Sequence, residues 1–325
     1  MITDQQAAAL LRTQDSILIL THIRPDGDTI GCAAGLCALL RQLGKTSYVL
    51  PSLDVSQTLG TYLTPYLAPA DFSPSFIVAV DTAALSMLQT NAETYQNRID
   101  LAIDHHGSHQ AYAKFCCVDS SCAACGELIY RIALTFKKPL SHAVALPLYM
   151  AIATDTGCFQ YSNTTADTHY IAGALIETGI DHYAVNRLHF RTKSLRRMHL
   201  EARLISTMEF WEDGAIAISM VPQALLDEIG ATKDDTEDLA DLPGRIAGVE
   251  ASVTVREQAD GTAKISLRTS PSYLNASAIC AQFDGGGHPA AAGCSIPLPI
   301  GEAKDALLAV MLQALSASAS DDAGR

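Results

Sequence analysis

The chain has 325 residues, 48% of them hydrophobic and 18% charged, and a net charge of −13. That length suits about two domains with packed cores, and no apolar run reaches the roughly 20 residues that a membrane span needs. The negative balance argues against a protein that tracks long nucleic acid, which needs a basic face; the one basic run is Arg191, Lys193, Arg196 and Arg197.

The first 15 residues lack a basic region ahead of their apolar stretch, so a secretory leader is not expected and the cytoplasm is the expected compartment. Residues 16–21 (SILILT) predict a buried strand. A polar turn, His22-Ile-Arg-Pro-Asp-Gly-Asp28, follows, and then a helix over about residues 29–43. Residues 76–80 predict a second buried strand that ends at Asp81, and residues 101–103 the end of a third that stops at Asp104. Helices are expected over residues 122–136, over about 142–153 to deliver Asp155, and from an N-cap at Thr165 to about Glu177. Strands alternating with helices predict an α/β domain whose parallel sheet is covered on both faces. Ligands bind such sheets outside the carboxyl ends of the strands.

Residues 192–206 read as a charged amphipathic helix suited to joining two domains. Beyond it the texture changes to a strand (215–220), a hairpin (249–256 and 264–268) around Asp260-Gly261, a helix (275–283), a loop Asp-Gly-Gly-Gly-His (284–288) and a last helix near 303–315. That pattern predicts a smaller mixed α/β domain. The expected division is residues 1–190, a linker helix over 191–209, a second domain over 210–316 and a polar tail, 317–325, without structure. Nine cysteines are present. Cys116, Cys117, Cys122 and Cys125 cluster, but with no CxxC pair flanked by histidines and without zinc-site spacing. Buried, reduced thiols with no part in the chemistry are the reading, Cys32 included.

Four short motifs carry chemistry. His22, Asp26 and Asp28 fall within seven residues after a buried strand, and Pro25 and Gly27 bend the loop between them. Asp81 ends the next apolar strand, Asp104-His105-His106 ends the third, and Asp155 lies in Ala-Thr-Asp-Thr-Gly. Singly, each could cap a helix or close a turn. Together they gather acids and imidazoles at one mouth of one sheet. An oxygen-rich set with a minority of imidazole suits manganese or magnesium better than zinc, and two such ions sharing a carboxylate suit in-line attack on phosphorus.

The set HIRPDGD, VAVD, DHH and TDTG, followed by SLR and GGGH, resembles the DHH phosphoesterase family over roughly residues 8–315. Within that family it resembles the NrnA-like group with a DHH-associated C-terminal domain. The resemblance implies a Rossmann-like catalytic domain holding two Mn²⁺, with Mg²⁺ or Co²⁺ as alternatives. It implies that His22, Asp26 and Asp81 hold one ion, and that Asp28, Asp81, His105 and Asp155 hold the other, Asp81 bridging. It gives Asp104 the task of orienting a histidine and His106 a place facing substrate, near the leaving group. It makes Arg268 and His288 phosphate contacts, with Gly286 and Gly287 allowing close backbone approach. Asn275 could neighbour the substrate or cap a helix. Asp284 stands where the family's loop usually has its first glycine. The implied substrates are short RNA oligonucleotides and adenosine 3′,5′-bisphosphate, with no membrane and no long nucleic acid as partners, and a homodimer left open. Cleavage of a linear dinucleotide such as pGpG or pApA, or of inorganic pyrophosphate, is the alternative. The GGGHPAAAG segment argues against the pyrophosphatase option, since family II pyrophosphatases carry a different C-terminal domain. A catalytically silent binding module would lack ligands that are all in place here.

Overall fold

The computed structural model describes residues 1–232, 234–236, 239–270 and 272–322, and the chain divides into two units, Met1–Thr192 and Lys193–Arg325. The first comprises α1 (Asp4–Thr13), β1 (Ile17–Leu20), α2 (Gly27–Gln42), β2 (Ser47–Val49), α3 (Gln57–Leu63), β3 (Phe76–Val80), β4 (Leu101–Asp104), β5 (Phe115–Val118), α4 (Cys125–Leu134), α5 (His142–Asp155), α6 (Ala166–Glu177) and α7 (His182–Asn186). Its five strands run parallel in the order β2-β1-β3-β4-β5. Strand order reverses between β1 and β3, so a crevice opens there at the carboxyl edge.

The runs Ile-Leu-Ile-Leu and Phe-Ile-Val-Ala-Val are buried throughout, as strands covered on both faces must be. Alternate side chains part between two cores. Ile17, Ile19, Val78, Val80, Leu101 and Ile103 enter the larger one, under the helices. Leu18, Leu20, Ile77 and Ala79 meet Leu88, Ala92 and Ile99 on the other face. That second face is closed by 3₁₀ turns over Leu85–Met87 and Thr90–Arg98, not by α-helices. The edge strands β2 and β5 are short, mix polar or cysteine residues with apolar ones, and were not expected from the sequence.

α2 is buried over most of its length. Gly27, Gly31 and Gly35 form one stripe on it, facing Thr154, Ala151 and Leu148 of α5. A Cβ at Gly31 would lie 2.3 Å from the Pro147 carbonyl oxygen and 2.6 Å from Ala151 Cβ. Helix axes can approach this closely only where one side has no side chain. The helix begins at Gly27, before the expected residue 29, because the Asp26 side chain already accepts the Thr29 N–H at 3.0 Å.

The second unit comprises α8 (Leu195–Ser206), β6 (Glu209–Trp211), β7 (Ile216–Val221), α9 (Gln223–Ile229), β8 (Ala251–Glu257), β9 (Ala263–Thr269), α10 (Ala276–Ala281), β10 (Gly286–His288), β11 (Ala291–Ile296) and α11 (Ile300–Asp322). Its sheet has the order β10-β11-β9-β8-β7-β6, with β7 and β8 parallel and the other pairs antiparallel. α10 and α11 contribute to the core on one face, α8 and α9 to the core on the other. The amphipathic stretch expected to link domains thus buries Leu200 and Leu204 within the second unit. The loop expected at 284–288 supplies the edge strand β10. The last helix continues through residues 317–322 of the tail expected to lack structure; residues 323–325 lie outside the described residues.

Close helix approach yields the first test. Gly31→Ala should lower unfolding free energy by about 1–3 kcal/mol, since the added methyl meets backbone that cannot yield. Gly173→Ala on α6, where a Cβ meets nothing within 4 Å, should be neutral or stabilising by up to about 1 kcal/mol. Urea midpoints at unchanged slope measure both, and a Gly31→Ala protein as stable as the Gly173→Ala one would contradict the packing account.

Candidate metal centre

His22 follows β1, Asp26 caps α2 and Asp28 sits in its first turn. Asp81 follows β3, His105 and His106 follow β4, and Asp155 ends α5. Helix N-termini favour carboxylates. Asp28 exploits two of them, since its oxygens also accept the N–H groups of Cys125 (2.6 Å) and Gly126 (3.0 Å) at the start of α4. Asp81 stands at φ +50, in the left-handed region that side chains rarely occupy and that Asp tolerates better than most.

The ligand-type atoms converge. Those of His22, Asp26 and Asp81 lie within 4.8 Å of one another, as do those of Asp28, His105 and Asp155, and those of Asp81, His105 and His106. His22 Nε2 is 3.9 Å from both Asp26 Oδ1 and Asp81 Oδ2. His105 Nε2 is 3.6 Å from Asp81 Oδ1, 3.6 Å from Asp155 Oδ2 and 3.7 Å from Asp28 Oδ2. The structure therefore brings all six expected ligands together, with Asp81 grouped with His22 and Asp26 on one side and with His105 on the other.

Tautomers sharpen the picture. His22 Nδ1 donates to the Ile23 carbonyl at 2.8 Å and His105 Nδ1 to the Cys122 carbonyl at 3.2 Å. In the neutral rings each Nε2 thus turns a lone pair toward carboxylates, which is repulsive unless a cation or proton lies between. Asp81 Oδ1 is buried and, among the described residues, has no hydrogen-bond partner. Burial pushes Asp28 well above the ordinary carboxylate range, with Asp81 and Asp155 adding to it. Burial raises Asp81 too, and carries Asp155 to about 6. Four carboxylates, two imidazole lone pairs and an orphaned oxygen fit a pair of divalent cations, whose four positive charges would balance the four carboxylates.

Around the cluster, Asp104 is fully buried. Its Oδ1 accepts the N–H groups of His105 (2.8 Å) and His106 (3.2 Å) and His106 Nδ1 (2.7 Å). Burial opposes its ionisation, yet hydrogen bonds from His106 and His109 hold it well below the ordinary carboxylate range. The same bond raises His106 to about 9. His106 remains partly exposed, its Nε2 uncommitted to any of these bonds.

Three participants escaped sequence reasoning. Thr29 Oγ1 lies 2.6 Å from Asp81 Oδ2 and 3.1 Å from Asp26 Oδ1. His109 Nδ1 meets Asp104 Oδ2 at 2.6 Å; a third histidine in one short loop was the available signal. The thiol of Cys32, on the face of α2, donates to Asp28 Oδ1 at 3.2 Å. Its i, i+4 spacing from Asp28 was visible, but a thiol that burial keeps protonated looks like ordinary core. All nine cysteines are free, eight of them buried.

Arg268 and His288 lie in the second unit, apart in sequence but aligned in register. Both pair with Ala291, Arg268 across β9–β11 and His288 across β10–β11, so the three side chains share one sheet face with the alanine between. Gly287, at φ +147, lies where a Cβ would meet the Ala291 carbonyl oxygen at 2.5 Å, so only glycine suits it. A Cβ at Gly286 would meet nothing within 4 Å. Asn275 caps α10, its side chain accepting Ala278 N–H at 3.0 Å.

A cluster of carboxylates and imidazoles at the switch point of a parallel sheet offers the donor atoms that could hold divalent cations. Comparison with known proteins narrows the class. Residues 16–152 match the DHH family, N-terminal domain, and residues 213–317 match the DHHA1 domain. The bifunctional oligoribonuclease and PAP phosphatase NrnA of Thermus thermophilus is 30% identical over 89% of this chain and 87% of its own length. The probable bifunctional oligoribonuclease and PAP phosphatase NrnA of Streptococcus mutans is 28% identical over 88% and 91%. An exopolyphosphatase-related protein from Bacteroides fragilis, 24% identical, shares the fold with a TM-score of 0.84, covering 96% of this chain and 95% of that one. The chain belongs to the DHH family of phosphoesterase hydrolases. Among the described residues no helix is long and apolar enough to cross a membrane.

Proton and cation should compete here. Asp155 is raised from 3.8 to about 6. In the metal-free protein its ionisation therefore costs stability as pH rises from about 4 to about 6, and a cation relieves that cost above this window. A divalent cation should raise the melting temperature strongly at about pH 7.5 and much less at about pH 5. Scans with and without chelator measure this. Equal increments at both pH values would mean that the cation binds elsewhere.

Proposed function

We propose that this enzyme is a Mn²⁺-dependent phosphoesterase that hydrolyses short RNA oligonucleotides and removes the 3′-phosphate of adenosine 3′,5′-bisphosphate. The single observation that carries the metal reading is the convergence of four carboxylates and two histidines around the shared, partly orphaned Asp81. The substrate reading rests on relatives named as oligoribonuclease and PAP phosphatase, alike over most of both chains.

His22, Asp26 and Asp81 would hold one cation, and Asp28, Asp81, His105 and Asp155 the other. Imidazole beside carboxylate favours Mn²⁺ over the harder Mg²⁺. When bound, the pair supplies Lewis acidity, which neutralises charge on the phosphoryl oxygens and lowers the pKa of water. The chain's own groups do the rest. Thr29 holds Asp81 and Asp26 in place. Asp104 anchors His106 through Nδ1 and leaves Nε2 to face the reacting phosphate. The bond to Asp104 favours the protonated form of His106, which suits proton donation to the leaving oxygen. Arg268 and His288, on one sheet face, would take a further phosphate group of the substrate, Arg268 being tethered only loosely, with Nε 3.6 Å from Asp241. A linear dinucleotide remains the second reading, as the same groups would serve it.

The test is a parallel assay of a 5′-phosphorylated dinucleotide, adenosine 3′,5′-bisphosphate, pyrophosphate and a long RNA, with and without Mn²⁺. Short RNA and the bisphosphate should be cleaved only with metal, and kcat/KM should fall about tenfold or more from a few nucleotides to about 20. A rate that holds level or rises with length would overturn the short-substrate reading.

Two substitutions separate the roles. Asp81→Ala should cut turnover about 100-fold or more with the fold retained. His106→Ala should lower turnover while metal content stays near wild type, whereas His105→Ala should lose metal. Elemental analysis of the purified variants checks the difference, and equal metal loss from both histidine variants would mean that the pair is misassigned.

A further inference from the structure

Asp104 is fully buried, and its two oxygens are used unequally. Oδ1 takes three bonds, all from the two residues that follow it. Among the described residues the one hydrogen bond to Oδ2 comes from His109 Nδ1 at 2.6 Å. The His109 side chain is 4% exposed. Its Nε2 is buried and, among the described residues, has no hydrogen-bond partner, so the ring's bonding is committed to Asp104. The ring is fixed from outside as well. Tyr112 lies against it, centroids 5.2 Å apart, and donates its hydroxyl to the Thr82 carbonyl at 2.8 Å. Gln110 N–H donates to the Ala83 carbonyl at 2.7 Å. The loop carrying His109 is thereby tied to the segment that follows Asp81.

We propose that His109 is a positioning residue for the reaction, acting through Asp104 to hold the His106 ring in its working orientation. This rests on the assignment of His106 to the reacting phosphate. A buried carboxylate with one oxygen unpartnered is costly, and rotation about its bond to the chain is then resisted from the other oxygen alone. Such rotation would weaken the 2.7 Å bond to His106, whose ring is partly exposed and, among the described residues, has its next carboxylate contact at Asp81 Oδ1, 3.7 Å away. With His109 in place, the three side chains form one rigid series, His109–Asp104–His106. Removing the outer member loosens the inner one without touching any metal-ligand group. Asn at 109 can offer an amide N–H near the Nδ1 position, whereas Leu cannot.

The experiment is a double-mutant cycle with His109→Leu, His109→Asn and His106→Ala in the full chain loaded with Mn²⁺. It is read on the dinucleotide, or on whichever of the bisphosphate and pyrophosphate the wild type turns over. His109→Leu should lower kcat about tenfold or more with KM little changed, and His109→Asn should restore most of the loss. In the His106→Ala background His109→Leu should have almost no further effect. A second arm needs no turnover. In protein loaded with diamagnetic Mg²⁺ instead of Mn²⁺, the hydrogen-bonded imidazole N–H proton of His106, assigned by its absence from His106→Ala, should be seen by NMR in wild type and His109→Asn and be lost or broadened in His109→Leu. Full additivity in the cycle, or an unchanged His106 proton signal in a folded His109→Leu protein, would overturn the inference. Failure of the substrate reading is distinct from this, since it leaves the wild type itself inactive on RNA while the NMR arm still decides the role of His109.

Discussion

Crowded, buried negative charge is the constraint around which the first unit is arranged. Asp28, Asp81 and Asp155 stand close enough that each makes it harder to ionise another, and burial raises all three. No packed core tolerates that without compensation. Part of it is built in: two helix N-termini point at Asp28, and the Thr29 hydroxyl and a strained left-handed backbone hold Asp81. The remainder is what a pair of bound cations would offset. Stability and activity of this unit are thus linked through the same carboxylates, and a change that relieves the crowding would stabilise the metal-free fold while weakening the site.

Much of this was legible in the sequence, for specific reasons. Apolar runs that end in an acid mark strands delivering a carboxylate at the edge of a sheet, and β3 and β4 follow that rule, while β1 leads through Thr21 to His22. Thr165 as a helix cap was readable because capping chemistry is local. The short edge strands β2 and β5 were not, since three or four residues carry too little periodicity to separate strand from turn. His109 and Cys32 were missed for another reason. The partner of His109 is fixed by a loop closing back on itself, that of Cys32 lies one turn away on the same helix, and a histidine or thiol in the core looks the same in sequence whatever it touches.

The second unit shows the same division. That Arg268 and His288 belong together followed from resemblance; that both flank Ala291 on one face follows from antiparallel register across three strands, which no short motif encodes. The Asp284 departure also has a structural reading. Its backbone stands at φ +54, a conformation that glycine adopts freely and that aspartate, among other residues, tolerates well. The turn before β10 is kept although the residue is changed.

One further consequence lies in the glycine stripe of α2. Gly27 immediately precedes Asp28, and it rests against Thr154, which immediately precedes Asp155. The spacing of these two carboxylates is therefore tied to one contact between a bare main chain and a threonine side chain, since a Cβ at Gly27 would lie 2.2 Å from Thr154 Oγ1. A side chain at position 27 would push the two helices apart, and Asp28 and Asp155 with them.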